Sequence, residues 1–147
     1  KQDPNGAYAA AIPKFIKALI NHESPIIHGD GSQSRDFTFI DNVIQANELA
    51  ATTNNKNALN QVYNVACGEQ TLLNDLVEEL KSLLSKFDSD IEYVDIQYGP
   101  ERIGDIKHSL ASIKKAEKLL HYQPSHNVYQ GLKKAINWYW EYFNNNR

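Results

Sequence analysis

The sequence predicts a mixed α/β domain, because short strand-like runs alternate with segments of helical spacing. Three observations support this class. Leucine recurs every three or four residues from Leu72 to Leu84, as in a helix that is buried on one face. The run at 25–28 is short, apolar and followed by glycines, and the run at 62–66 is rich in β-branched and aromatic residues. Both runs are typical of buried strands.

The first part of the chain begins with a polar, turn-rich segment over residues 1–8, which predicts a loop. Apolar residues at helical spacing then predict a helix from about Ile12 to Ile20, with Pro13 in its first turn. A strand at 25–28 enters a glycine-rich loop, and Asp41 is placed to cap the second helix.

The second part begins with a polar connection, the strand at 62–66 and the leucine-rich helix. The run at 91–98 predicts another strand, whose alternation slips between Tyr93 and Val94 as a β-bulge would cause. A loop follows, and helical spacing returns over about 112–120 and 128–143. Since no linker interrupts the pattern, we expect one domain over residues 1–147.

The composition excludes several classes of function. The chain has 147 residues, of which 41% are apolar, and a net charge of −3, which disfavours a nucleic-acid or membrane-surface binder. No apolar run approaches the length of a membrane span. The lone Cys67 indicates a reducing, cytoplasmic setting. Because the chain begins at Lys1 and contains no methionine, we expect a piece of a longer protein.

Arginine is rare, and its placement suggests an anion site. Only three of the 15 basic Lys and Arg residues are arginines, and the two internal ones, Arg35 and Arg102, lie in glycine-containing loops. A guanidinium makes two parallel hydrogen bonds and therefore suits a phosphate better than an ammonium does. The alternative is that each arginine pairs with a neighbouring carboxylate, Asp36 or Asp105, and only fixes its loop. The spacing leaves both interpretations open.

Other chemistry finds little support in the residues. A calcium loop over Asp30–Asp41 fails because Arg35 occupies the position of the required glycine. The histidines show no zinc spacing, although His28, at a strand end beside the glycine loop, is a candidate site residue. The sequence contains no nucleophile elbow, no P-loop and no dinucleotide fingerprint. The residues alone therefore predict an α/β domain with an anion-binding face.

A family resemblance sharpens this prediction. Segments such as GDGSQSRDFTFIDN, beginning at Gly29, and RIGDIKHS, beginning at Arg102, resemble the C-terminal part of extended short-chain dehydrogenase/reductases that act on nucleotide sugars. The similarity runs through essentially the whole chain. The opening QDPNGAYAAAIP is most similar to bacterial UDP-N-acetylglucosamine 4-epimerases. The serine at position 109 also follows the N-acetylhexosamine group.

The resemblance implies a fold for this chain and different roles for the two halves of the parent protein. The chain would be the C-terminal substrate-binding lobe, with short strands mixed with helices, and would lack the N-terminal Rossmann half. That half binds NAD and supplies the Tyr-x-x-x-Lys residues, so this chain alone should bind no cofactor and be inactive. Its partners would be a UDP-sugar and its own Rossmann half, in a parent that is usually a homodimer. The alternatives are a 4,6-dehydratase, a decarboxylase or a non-catalytic nucleotide-sugar binding module.

The resemblance also implies roles for individual residues. Arg35 and Arg102 would contact the diphosphate, and Asp105 would hold the ribose hydroxyls. The nucleotide would approach the backbone at Ala10 and Ala11. The remaining matches are Phe15 beside the uracil, Ile26 and His28 on the strand that contacts base and ribose, Leu73 in an apolar pocket and Ser109 near the site.

Overall fold

The computed structural model describes residues 11–145, which form five α-helices, four short strands and two 3₁₀ turns. The helices are α1 (Ala11–Ile20), α2 (Ile40–Thr52), α3 (Leu73–Leu84), α4 (Lys114–Leu120) and α5 (Val128–Asn145). The strands are β1 (Ile26–His28), β2 (Ser34–Arg35), β3 (Thr71–Leu72) and β4 (Gln97–Gly99). The predicted α/β class is confirmed.

The strands form two small sheets. β1 pairs in parallel with β4, with Ile26 opposite Gln97 and His28 opposite Gly99. β2 pairs with β3. The parallel register places the carboxyl ends of β1 and β4 side by side, which positions the loop after β4 next to His28.

The described residues group into two compact units. The first unit contains 11–33, 72–107 and 132–145, and its core lies where α1 packs against α3. The apolar stripes that the sequence predicted are the buried faces of these helices, because residues three and four apart share one side of a helix. Their fully buried members are Ile16, Leu19, Ile20, Leu76, Val77, Leu80 and Leu84. Burying each of these side chains contributes roughly 1.5–3 kcal/mol.

The second unit contains 34–71 and 108–131 and has its own core. Tyr122 is fully buried among Ala46, Ala66, Ile113 and Ala116, and its hydroxyl donates to the carbonyl oxygen of Ala66 at 2.8 Å. A buried phenol therefore keeps a hydrogen-bond partner, as buried polar groups generally do. Burial also raises the pKa of the Tyr122 hydroxyl.

Three local predictions were wrong. Residues 62–66 show strand-like alternation of burial but form no ladder with a strand in the described part of the chain. The run at 91–98 begins as a 3₁₀ turn, Ser89–Tyr93, and only its end becomes β4. The second helix begins at Ile40 with Phe39 as N-cap, so Asp41 lies in its first turn instead of capping it.

Candidate functional site

A pocket of about 330 Å³ lies in the first unit. One wall is α1, which contributes Ala11, Phe15 and Ala18 at the spacing of one helix face. A second wall is β1 together with the segment that precedes it, from Glu23 onward. Leu73, the first residue of α3, and the loop that follows β4 complete the lining.

This pocket brings together seven of the residues singled out in the sequence. They come from four separate segments of the chain: Ala11, Phe15, Ile26, His28, Leu73, Arg102 and Asp105. Phe15 is mostly buried and presents an aromatic surface, whereas the loop with Arg102 and Asp105 is exposed. The arrangement gives an apolar body with charged groups at its rim, as is common for small-molecule sites.

Two of the other predicted residues, Arg35 and Ser109, do not line this pocket. Arg35 and Ser109 belong to the second unit, where the backbone N–H of Ser109 donates to the carbonyl oxygen of Ser34, the residue before Arg35, at 3.1 Å. These two are therefore close to one another. Ala10 lies outside the described residues.

The loop after β1 is held by a glycine turn and by backbone hydrogen bonds from the start of α3. Gly31 has a φ of +77°, which glycine adopts without strain, and a Cβ there would overlap the side chain of Asn74. The N–H groups of Leu73 and Asn74 donate to the carbonyl oxygens of Gln33 and Gly31 at 3.0 and 3.2 Å. The loop thus satisfies the first N–H groups of α3, which have no partner within the helix.

His28 is oriented by two neighbouring contacts. Its Nδ1 lies 3.2 Å from the carbonyl oxygen of Pro100, which can only accept, so the ring carries a proton on Nδ1. Its own carbonyl oxygen accepts from the Nε2 of Gln33 at 2.6 Å. These contacts fix the half-buried His28 side chain where it lines the pocket.

Arg35 is anchored at the end of β2. Its Nη1 donates to the carbonyl oxygen of Ser34 at 2.8 Å. The neighbouring Asp36 carboxylate accepts the backbone N–H groups of Cys67 at 2.9 Å, Gly68 at 3.0 Å and Ala111 at 3.4 Å. Asp36 thus fixes two other segments of the second unit.

Cys67 is not set up as a nucleophile. Burial raises the pKa of its thiol, and the charges of Glu69 and Asp36 add to the effect. A thiol that stays protonated is a poor nucleophile and a poor metal ligand. No group of three potential metal-binding side chains occurs within residues 11–145, and no helix there is long and apolar enough to cross a membrane.

Sequence reasoning missed three residues at these sites and named a fourth, Asp36, only as a possible ion-pair partner of Arg35. Lys14 and Glu23 line the pocket, Gln33 ties β1 to α3, and Asp36 anchors the strand of Arg35. Lys14 was detectable, since it lies at helical spacing with Ala11 and Ala18. Glu23 carried no signal, because its position depends on the turn that reverses the chain after α1.

The pocket combines balanced charge with an aromatic wall. Lys14 and Arg102 carry positive charge, and Glu23 and Asp105 carry negative charge. This arrangement suits a ligand that has both an anionic group and hydrogen-bond donors. The fold is of α/β type, and its pocket has the composition that is common in small-molecule sites.

Comparison with known proteins identifies the family. The family model described as GDP-mannose 4,6 dehydratase matches residues 3–135 of the sequence. The chain is 34% identical over 147 residues to a putative UDP-glucose 4-epimerase of Methanocaldococcus jannaschii, covering all of this chain and 43% of that protein. The chain belongs to this epimerase/dehydratase family.

Solved structures support the same family assignment. The UDP-N-acetylglucosamine 4-epimerase of Methanobrevibacter ruminantium M1, in complex with UDP-N-acetylmuramic acid, superposes with a TM-score of 0.81 at 39% identity. That match covers 96% of this chain and 42% of the other. The UDP-glucuronic acid 4-epimerase of Bacillus cereus, with UDP-glucuronic acid and NAD, gives a TM-score of 0.75 at 28% identity, covering 99% and 42%. The matched regions are C-terminal parts of extended short-chain dehydrogenase/reductase epimerases.

The chain thus spans about two fifths of the length of these relatives. Other relatives are named as a UDP-N-acetyl-alpha-D-glucosaminuronate decarboxylase and as a dTDP-D-glucose 4,6-dehydratase. Relatives named as epimerases, dehydratases and decarboxylases are therefore all similar in sequence to this chain.

Proposed function

We propose that this chain is the substrate-binding part of an NAD-dependent UDP-sugar 4-epimerase, of the type that acts on UDP-N-acetylglucosamine and UDP-N-acetylgalactosamine. The observation that supports the proposal is the pocket in the first unit. An aromatic side chain, a strand edge, an arginine and a carboxylate line one cavity there, although they come from segments far apart in the sequence.

In this proposal the pocket binds the nucleotide part of the substrate. Phe15 packs against the base, and Asp105 accepts hydrogen bonds from the ribose hydroxyls. Arg102 binds the diphosphate, because charge-assisted hydrogen bonds to a guanidinium contribute roughly 1.5–3 kcal/mol each. Arg102 is exposed, so screening by water places its contribution at the lower end of that range.

Arg35 and Ser109 have proposed roles beyond this pocket. We assign Arg35 to the diphosphate as the second cation, and Ser109 to the neighbourhood of the sugar. Ala10 and Ala11 would approach the nucleotide through their backbone, and Leu73 would add apolar contact.

NAD chemistry is assigned to another part of the parent protein. β1 is followed by Gly29 and Gly31, but the chain then enters β2 instead of a helix. This order does not fit a dinucleotide site, which needs a helix N-terminus directly after the glycine turn. We therefore propose that an N-terminal half binds NAD and that this chain alone is inactive. A cytoplasmic homodimer is the expected form of the parent.

Steady-state kinetics of the parent protein test the proposal. Arg102→Ala and Arg35→Ala should each raise the Michaelis constant for UDP-N-acetylglucosamine about tenfold, which corresponds to about 1.4 kcal/mol. Arg102→Lys should also be impaired, because an ammonium cannot make the paired hydrogen bonds. The control is Lys118→Ala on α4, which should behave as the wild type. Unchanged constants for both arginine variants would refute the assignment.

The product decides between the reaction types. Epimerisation interconverts the two acetamido sugars, a dehydratase releases water to leave a 4-keto-6-deoxy sugar, and a decarboxylase releases CO₂. Formation of a 4-keto-6-deoxy sugar or of CO₂ would instead identify the parent protein as a dehydratase or a decarboxylase.

A further inference from the structure

His108 is a histidine to which neither the family resemblance nor the proposed function gives a role. Its Nδ1 lies 3.0 Å from the Oγ of Ser34, which is 74 positions earlier in the chain. Ser34 is only 1% exposed, so its hydroxyl needs a partner within the protein, whereas His108 lies at the surface. The two residues also form an isolated parallel β-bridge. His108 therefore holds the buried Ser34 side chain from the surface of the second unit.

The main-chain carbonyl of Ser34 contacts two predicted site residues of the second unit. Its oxygen accepts the Nη1 of Arg35 at 2.8 Å and the backbone N–H of Ser109 at 3.1 Å. A carbonyl oxygen has two lone pairs, so both donors can bind at the same time. A displacement of Ser34 would thus move the Arg35 guanidinium and the Ser109 backbone together.

The segment of Ser109 is attached to Ser34 at two points. One is the backbone hydrogen bond from Ser109, and the other is the side-chain hydrogen bond of the preceding residue, His108. The strand β2 is only two residues long, and a short two-stranded ladder is marginally stable by itself. The position of Ser34, and with it that of Arg35, therefore depends on contacts such as the one with His108.

We propose that His108 is a positioning residue for substrate binding: through Ser34 it fixes Arg35 and Ser109 in the arrangement that receives the ligand. This inference rests on the proposed function, in which Arg35 binds the diphosphate and Ser109 lies near the sugar. His108 touches no ligand in this role and takes no part in the chemistry at the sugar.

A positioning role and a purely structural role differ in their kinetics. If the hydrogen bond only stabilised the fold, its loss would reduce the amount of folded enzyme and so the apparent kcat, and the Michaelis constant of the folded molecules would stay unchanged. A misplaced Arg35 instead weakens the binding of substrate and transition state alike. The Michaelis constant then rises while kcat is retained.

Asparagine and glutamine at position 108 provide a matched pair of substitutions. The amide of asparagine occupies the place of Nδ1 in the imidazole, and the amide of glutamine occupies the place of Nε2. Because the Ser34 hydroxyl can donate or accept, either amide atom of asparagine can replace Nδ1. His108→Asn therefore keeps the hydrogen bond to Ser34, and His108→Gln loses it.

Steady-state kinetics of the parent protein with UDP-N-acetylglucosamine test the proposal. His108→Ala and His108→Gln should each raise the Michaelis constant about fourfold at unchanged kcat, because Arg35 is loosened but not removed. His108→Asn should stay within about 1.5-fold of the wild type. Ser34→Ala removes the same hydrogen bond from the other side and should match His108→Ala. The double variant should be no worse than either single variant, because both changes remove one interaction.

The variant Arg35→Ala separates this inference from the proposed function. If Arg35→Ala leaves the Michaelis constant unchanged, the assignment of Arg35 to the diphosphate and the role of His108 are both wrong. If Arg35→Ala raises the constant but His108→Ala does not, only the role of His108 is overturned. The same holds if His108→Asn is impaired as strongly as His108→Gln, or if the His108 variants lose kcat alone.

Discussion

Asp36→Asn is the substitution that most sharply tests how the Arg35 strand is held. One Asp36 oxygen accepts the N–H of Cys67, and the other accepts the N–H groups of Gly68 and Ala111. An asparagine amide has only one acceptor oxygen. Its best arrangement keeps the two bonds to Gly68 and Ala111 and turns an NH₂ group toward the N–H of Cys67.

The expected cost follows from these contacts. One charge-assisted hydrogen bond, worth roughly 1.5–3 kcal/mol, is lost, and two donors then face each other. Asp36 and Cys67 are only half-buried, so water partly replaces the lost partner. We expect Asp36→Asn to lower the free energy of unfolding by about 2 kcal/mol. Asp36→Ala removes all three bonds and should cost about 4 kcal/mol.

Urea denaturation followed by circular dichroism measures this loss, and amide hydrogen exchange locates it. A local loss of about 2 kcal/mol should speed exchange at Cys67 about 30-fold. Asp95→Asn, at an exposed aspartate, is the control and should leave both measurements unchanged. A free energy within about 0.5 kcal/mol of the wild type for Asp36→Asn would refute the reasoning.

Three further predictions concern stability and reactivity. Asn42 is fully buried and makes four hydrogen bonds to Ser125 and His126. Asn42→Ala should therefore lower the free energy of unfolding by about 3 kcal/mol in urea titrations. A loss below about 1 kcal/mol would contradict this prediction. Gly31→Ala should cost about 2 kcal/mol in the same assay, because it combines a positive φ with overlap against Asn74. Burial raises the pKa of the Cys67 thiol, so the thiol stays protonated at higher pH in the folded chain. Iodoacetamide at pH 8 should therefore alkylate Cys67 more slowly in the folded chain than in the urea-unfolded chain. Equal alkylation rates would refute the raised pKa.

The helices were predictable because their stability depends on a periodic apolar face. The stripe from Leu76 to Leu84 in α3 is buried as its spacing indicates, and so is that of Phe15, Ile16 and Leu19 in α1. A period of three to four residues identifies such a face without knowledge of what covers it.

The strands were less predictable because β-forming residues report packing more than pairing. In residues 62–66, Tyr63 and Val65 pack against the core of the second unit, and the Tyr63 hydroxyl donates to the carbonyl oxygen of Ala58. The segment thus satisfies its side chains without a ladder. The slip at Tyr93 and Val94 marks the end of a 3₁₀ turn, in which Asp88 accepts the N–H of Asp90.

The candidate site was only partly accessible from the sequence. The motif resemblance selected residues of the pocket because the motifs are local, as with Arg102 and Asp105. Glu23 is placed by the turn that reverses the chain after α1, and the Asp36 carboxylate accepts the N–H of Ala111, 75 residues away. Such contacts depend on tertiary folding and leave no local pattern.

Titration of the isotope-labelled chain with UDP and with uridine tests the central claim, that the pocket binds a nucleotide with its diphosphate at Arg102. UDP should shift the amides of Ile27, His28 and Arg102, and Arg102→Ala should weaken UDP binding about tenfold while leaving uridine binding unchanged. Shifts confined to residues outside the pocket, or an equal loss of affinity for UDP and uridine in Arg102→Ala, would contradict the claim.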